Sequence, residues 1–497
     1  MRGWKNRSRE ARLGIIFLTV AMFASACRDS APLQEGMKKE EGGASSHGTP
    51  LTASDLAYRR DKVKLVWVGY NMLSGGKKDA ILARWHDKYP NIEVVYKDFP
   101  AEPPSYSQAL NGAFSSNETM DVLLLSHEEV LPRAQNGQLH ELDSMALQAN
   151  DSIDAIFGGK LRSIQLGGYN YQLPYTLNVE MLYYNKDLFD SKGVPYPNEH
   201  TTFEELVSMA KRLQEGSGSD KVWGYIGKNP LQPALNAGWS WMKDVRSPSI
   251  ADTRVRKSLE LHKELFDSGA SPSYLQLRLD KLKASVLFAE GKAAMMVENW
   301  WPQVFWSMQK YNSGTLDPDE PGFRYDITFL PRYDETSTPK RQEVLPGWGY
   351  SVNARTKHPL EAYMFAKFLS TEIPDLNGHI PADKTADMSL YNQIFNTFID
   401  KNNVKHTGLY PESYLRKLKR VMEETVPIEG EVPPDKTSAQ LLTDMKEAFN
   451  RETDRYFAGR ITVDELMERV QAFADEEAAN AGAPAESTDK TKNDKVW

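Results

Sequence analysis

"GKAAMMVENWWPQVFW", residues 291–306, runs from an apolar stretch into a pair of tryptophans and then a proline. It reads as a strand through Val297, because the apolar run is short and ends at Glu298. Pro302 suits the first turn of a helix, where its missing N–H is no loss, and Phe305 and Met308 would ride on that helix. A strand, a short aromatic loop and a helix in succession are the grammar of an α/β fold. The loop and helix together hold Trp300, Trp301 and Trp306, three of only 11 tryptophans in 497 residues.

The same alternation recurs upstream. "KVKLVWVG", 62–69, is a strand, and the helix after it places Ile81, Leu82, Trp85 and Tyr89 on one face before Pro90 stops it. "IEVVYKDF" is a second strand and "DVLLL", 121–125, a third, so this part of the chain is expected to form a parallel α/β lobe with Trp67 and Trp85 in its core. A second set begins with "EMLYYNKDLF", a strand running into a turn. Thr202 and Glu205 then stand in capping-box spacing ahead of the stripe Phe203, Leu206, Val207, Ala210 and Leu213. Thr462 and Glu465 repeat the device before Val463, Leu466, Met467, Val470 and Phe473. No short-period repeat is visible.

The first 26 residues are expected to be a signal peptide. Five basic residues against Glu10 leave +4, and "GIIFLTVAMFASA" is apolar but too short to span a bilayer comfortably. Cys27, the only cysteine, follows Ala24, Ser25 and Ala26; this resembles a bacterial lipobox, which implies a lipidated cysteine of the palmitate-bearing kind. Residues 27–60 have the composition of a flexible tether, and 479–497 that of a disordered tail. Subtracting +4 from a total of −8 leaves −12 for the mature chain, which argues against a nucleic-acid partner.

Five stretches in order carry a resemblance: "YQLPYTLNVEMLYYNKDLFDSKGV", "TTFEELVSMAKRL", "FAEGKAAMMVENWW", "LPGWGYSVNARTKHPLEAYMFAKFLS" and "AGRITVDELMERVQ". Together, over about residues 63–475, the chain resembles extracellular solute-binding proteins of family 1, the carbohydrate-type receptors of ABC importers. The resemblance implies a two-lobed α/β fold of the periplasmic-binding-protein type II, with lobes joined by crossing segments around a central cleft. It places crossings near 176–181, 345–350 and 405–430. The first lobe would be 61–177 plus 348–405, and the second 180–345 plus 410–478. It implies a monomer, lipid-anchored at the extracellular face of the membrane, that hands a sugar to ABC permease subunits by hinge closure.

In open α/β sheets, ligands meet the loops after the carboxyl ends of strands. That rule selects Tyr70 and Asn71, then Ser126, His127 and Glu128, then Glu298, Trp300 and Trp301. The resemblance adds Tyr175 and Asn178 at the first crossing and Trp348 at the second. Aromatic faces cover the C–H side of a sugar ring while Asn, Glu and Ser bond its hydroxyls. Trp239 and Trp241 alternate in an extended segment and point opposite ways, so one is a candidate for the cleft and both are carried forward. Plainer readings stand beside these: His127 as a solvated loop histidine, Trp306 as core.

No metal or cofactor site is legible. "SGGKK" lacks the remaining residues of a phosphate loop, and its S-x-x-K has no companion motif. HExxH, GxSxG and cysteine–histidine zinc spacings are absent. The rival to a binding protein is a secreted carbohydrate-active lipoprotein enzyme that uses a carboxylate pair such as Glu128 and Glu298. A surface adhesion or scaffold protein would leave the aromatic mouth without a purpose.

Overall fold

The computed structural model describes residues 62–482, apart from 71–76, 100–104, 228, 243–246, 280–281, 304–305, 307–323, 339–340, 343–344, 384–385, 400–403, 409 and 428–435. The leader, Cys27, the tether, Asn71, Phe305 and Met308 lie outside the described residues.

The main elements open with β1 (Val63–Tyr70), α1 (Lys77–Lys88), β2 (Ile92–Phe99), α2 (Ser105–Ser115), β3 (Val122–Leu125) and α3 (His127–Gln135). Next come β4 (Leu173–Pro174), β5 (Leu177–Asn178), β6 (Met181–Asn185), α4 (Phe203–Leu213), α5 (Thr253–Asp267), β7 (Met295–Glu298) and β8 (Tyr325–Thr328). Then follow β9 (Leu345–Pro346), β10 (Gly349–Val352), α6 (Pro359–Lys367), α7 (Met388–Asn396), α8 (Glu412–Glu424), α9 (Lys436–Phe457) and α10 (Val463–Gly482). No described helix is long and apolar enough to cross a membrane.

The first sheet has the order β2-β1-β3-β10-β4. β1 runs parallel to β2 and β3, and β10 runs antiparallel to β3 and β4. Leu65 and Trp67 of β1 and Ile81 and Trp85 of α1 are all buried. Trp67 and Trp85 meet Phe365 of α6 at 5.5 and 4.9 Å between ring centroids. Side chains of this size, fully buried, stabilise by on the order of 3 kcal/mol each.

The second sheet, β7-β6-β8, is antiparallel throughout, so the parallel pattern of the first does not extend to it. Periodicity reports which faces are buried but not which way neighbouring strands run. The direction matters for the site. Glu298, at the end of β7, pairs with Met181 at the start of β6, so the aromatic loop lies beside the point where the chain enters this sheet.

Two passages between the sheets lie side by side as the β5–β9 ribbon, with Leu345 opposite Asn178 and Pro346 opposite Leu177. Gly347 N–H donates to Thr176 O at 2.9 Å and Tyr175 N–H to Trp348 O at 3.2 Å. Glycines on both sides of Trp348 permit this. A Cβ at Gly347 would stand 2.7 Å from Thr176 Cγ2, and one at Gly349 2.7 Å from Leu173 O.

Three of the five apolar clusters among the described residues place the elements relative to the two sheets. One joins β1, β3, β10 and α6; a second joins β6, β7, α7 and α8; a third joins α5, α9 and α10. Ile373 and Ala382 pack in the first cluster, whereas Ile380, Ala386 and Tyr391 pack in the second. The third passage therefore falls at about 378–386, ahead of the expected 405–430, and α7 packs with the second cluster. "NGHIPAD" carries no periodic signal that could have marked it.

Both capping boxes form. Glu205 N–H donates to Thr202 Oγ1 at 3.2 Å while Thr202 N–H donates to Glu205 Oε2 at 2.8 Å, and Thr462 and Glu465 repeat both bonds at the same distances. Where a turn was expected after β6, Asn185 Oδ1 instead accepts from Asp187 and Leu188 N–H and starts a helix, Lys186–Lys192. α10 also continues to Gly482, four residues into the segment expected to be disordered, carried on from Glu476, Glu477, Ala478 and Ala479, which favour helix.

Candidate ligand-binding site

The mouth of the first sheet is built of rings. Tyr70, at the end of β1, meets Trp348 at 5.2 Å and Tyr106 of α2 at 4.9 Å. Tyr106 is fully buried and its hydroxyl donates to Leu124 O at 2.8 Å. Burial pushes that hydroxyl's pKa well above the usual range, so it remains a neutral donor. Tyr70 and Trp348 are only half-buried and rest on it.

A second group of rings bridges the two sheets. His379, in the third passage, stands edge-on to Tyr175 at 4.9 Å and to Trp300 at 5.4 Å. Tyr175, from the first passage, is buried against Tyr350 of β10. Trp300 is 3% exposed, packs on Phe395, and donates its Nε1–H to Leu177 O at 3.2 Å. Trp301, the next residue, is 49% exposed and meets Trp300 edge to face at 6.4 Å. The tryptophan pair is thus split: one ring is wall and the other is presented.

A buried polar relay fixes that presentation. Tyr414 Oη–H donates to Gln303 Oε1 at 3.0 Å, Gln303 Nε2 to Tyr183 Oη at 2.7 Å, and Tyr183 Oη–H to Asn299 O at 2.7 Å. Asn299 Oδ1 in turn accepts from Trp301 N–H at 2.9 Å, and Glu298 Oε1 accepts from Asn299 N–H at 3.2 Å. Burial raises both tyrosine pKa values far above their usual range, which keeps the relay neutral and donating. Trp306 lies behind, stacked on Phe288 at 5.8 Å.

Ser126 and His127 are half-buried at the start of α3, and Glu128 is exposed. Burial lowers the His127 pKa; the Glu128 carboxylate opposes this and the Lys446 ammonium of α9 reinforces it. Lys446 Nζ lies 5.9 Å from the centroid of the Trp241 ring, which is itself half-buried and meets Phe449 edge-on at 5.3 Å. Asn178 is half-buried, with its backbone in the β5–β9 ribbon.

Trp239 does not join these groups. It is 1% exposed in the third apolar cluster and donates Nε1–H to Ser249 O at 2.8 Å, so no ring face remains for a ligand. Trp300 and Tyr175 are likewise buried and can act on a ligand only through the rings they support. The structure gathers Tyr70, Trp348, Tyr175, Trp300 and Trp301 around the passages, and His127 and Trp241 around Lys446. Sequence reasoning missed Tyr106, His379 and Lys446. Tyr106 stands on an apolar helix face, and the other two lie in segments with no strand end to flag them. Among the described residues no group of three or more His, Cys, Asp or Glu could hold a metal ion.

A sequence model of bacterial extracellular solute-binding proteins matches residues 71–373. An ABC transporter extracellular-binding protein of Pyrococcus horikoshii is 24% identical over 345 residues, 67% of this chain and 74% of that one. The galactooligosaccharide-binding protein of Bacillus subtilis is 23% identical over 351 residues, 66% and 72% of the two chains. The chain spans 60% of the length of three relatives from Brucella abortus and Brucella suis, at 22% identity. Among solved structures, a sugar transporter protein of Rhizobium etli in an open conformation superposes with TM-score 0.62 at 20% identity, covering 84% of this chain and 99% of that one. An ABC substrate-binding protein of Listeria monocytogenes in complex with cycloalternan gives TM-score 0.62 at 18% identity, covering 84% and 100%. These likenesses give the fold as the two-lobed α/β binding-protein architecture.

Proposed function

This chain belongs to the family of bacterial extracellular solute-binding proteins, and from that premise we propose that it captures a sugar or oligosaccharide by hinge closure and delivers it to an ABC importer permease. The observation that carries the reading is Trp301, a half-exposed indole held by a buried relay at the edge where the passages between the two sheets meet. Relatives and structural neighbours that bind sugars support the carbohydrate class.

In this reading Trp301 offers a stacking face from the second lobe. Tyr70 and Trp348 offer theirs from the first, and Asn178, Ser126, Glu128 and Glu298 bond hydroxyls. Contacts made with both lobes exist only when the cleft is closed, so the ligand favours the closed state by its difference in affinity for the two. The first lobe comprises about 61–177 and the return from 348, the second 180–345 and the chain after the third passage, which we place at 378–386. Cys27 carries a lipid, and residues 28–60 tether the receptor at the outer face of the membrane.

Incubation with labelled oligosaccharides tests this. Stoichiometric retention of intact sugar, with a raised melting temperature, is expected. Steady turnover, with the sugar recovered cleaved, contradicts it and favours the enzyme.

A further inference from the structure

We propose that the ligand is a sugar bearing an acidic group, and that Lys446 is the residue that selects it, seated on Trp241 on one wall and facing His127 on the other. This rests on the sugar-binding reading above and adds to it the charge of the ligand.

Lys446 is an exposed cation seated on an aromatic ring. Its ammonium lies over the Trp241 ring, a geometry that fixes a side chain which otherwise loses rotamer freedom on binding. Trp241 is fixed in turn by Phe449, one turn along α9, and by buried Trp239. Among the described residues no carboxylate pairs with Lys446. Asp444 on the same helix accepts instead from Gln440 Nε2 at 2.8 Å, and Glu128, beside His127, makes no ion pair with it. The ammonium is therefore not neutralised by its own protein.

Its position faces the first lobe. Ala439 of α9 shares a small buried cluster with Ala134 of α3 and Leu166. Seven residues on from Ala439 is Lys446, and seven back from Ala134 is His127. The contact of Ala439 with Ala134 brings α9 against α3, the helix that His127 begins. The effect of Lys446 on the His127 imidazole agrees with that proximity. A neutral imidazole supplies one N–H donor, and the ammonium supplies charge. An anionic oxygen between them is bonded from both lobes, and closure removes water from the contact, which strengthens it. Trp241 thereby acts as a positioning residue for Lys446; the cation occupies the ring face on which a sugar would stack.

The test is titration calorimetry on the full chain with neutral mono- and oligosaccharides, each matched to its uronate and its phosphate ester. The acidic member of a pair is expected to bind at least tenfold tighter, with the advantage shrinking as salt is raised. Whether uronate or phosphate leads identifies the acid. Lys446→Gln should abolish the preference and Lys446→Arg retain it, with the unliganded melting temperature unmoved in both. Equal or tighter binding of neutral members overturns the proposal alone, as does a preference that survives Lys446→Gln. Binding of no member of either class overturns the sugar reading and this proposal with it.

Discussion

The His379 imidazole stands edge-on to the Trp300 indole, 5.4 Å between centroids and 83° between planes, and this one contact ties the third passage to the aromatic loop of the second sheet. The same imidazole meets Tyr175 of the first passage at 4.9 Å and 84°. Trp300 is thus part of the joint between the lobes, while Trp301 is what the joint holds out. The two neighbours should fail in different ways when removed.

Trp301→Ala should weaken sugar binding at least tenfold while leaving the unliganded melting temperature nearly unchanged, because a half-exposed ring contributes little to the core. Trp300→Ala should cost about 3–5 kcal/mol of unfolding free energy by denaturant titration, as truncation of a buried aromatic does. Equal stability loss in both variants would show that the pair is not split.

Tyr183→Phe breaks the relay at its middle. It leaves Gln303 Nε2 and Asn299 O without the hydroxyl that serves both, so a stability loss of about 1–3 kcal/mol is expected. Because Asn299 also orients Trp301, affinity should fall as well. Calorimetry that finds reduced stability with unchanged affinity would separate the relay from the site.

Gly349→Ala should destabilise by about 1–3 kcal/mol, since its methyl would stand 2.7 Å from both Leu173 O and Pro174 Cα, backbone atoms that cannot swing aside. Gly168→Ala is no control, because φ there is +81°. Gly112, with open space around its missing Cβ and a helical position, should instead tolerate alanine, and comparing the two melting temperatures checks the point.

Acid should destabilise the fold through His262. This ring is 1% exposed, stacks on Phe203 at 4.8 Å, and burial lowers its pKa to about 4, partly offset by its bond to Ser258 O. The unfolded chain takes up a proton near pH 6.5, while the folded chain refuses it until about 4. Below 6.5 the unfolded state therefore binds more protons, and stability falls as pH falls through that window. The full effect is about 3 kcal/mol, reached below pH 4. His262→Phe should flatten the dependence of the urea midpoint on pH between 6.5 and 4.5; an unchanged slope would assign the acid loss to other groups.

Much of the first sheet was legible because β1 begins with buried and exposed residues in alternation, α1 buries Ile81 and Trp85 one turn apart and β3 is an apolar run buried throughout, and Thr202 and Thr462 announced their helices by capping chemistry. The antiparallel pairing of β7 with β6 was not, since strand direction leaves no trace in periodicity. At the site, the carboxyl-end rule reached Tyr70, Ser126 and Trp301 because each stands at the carboxyl end of a strand or within three residues of it. It could not sort Trp300 from Trp301, which differ only in what their neighbours bury. Trp239 and Trp241 sit in an irregular segment where alternation has no sheet to refer to. His379 and Lys446 lie on elements whose placement depends on long-range packing, and no local pattern could bring them beside Trp300 or Trp241.

The most direct test of ligand capture is calorimetric titration of the full chain with a panel of oligosaccharides, followed by chromatography of the recovered sugar. Saturable binding of one sugar per chain, lost in Trp301→Ala, with the sugar recovered intact, is what the account predicts. Absence of binding across the panel, or recovery of cleaved sugar, would contradict it.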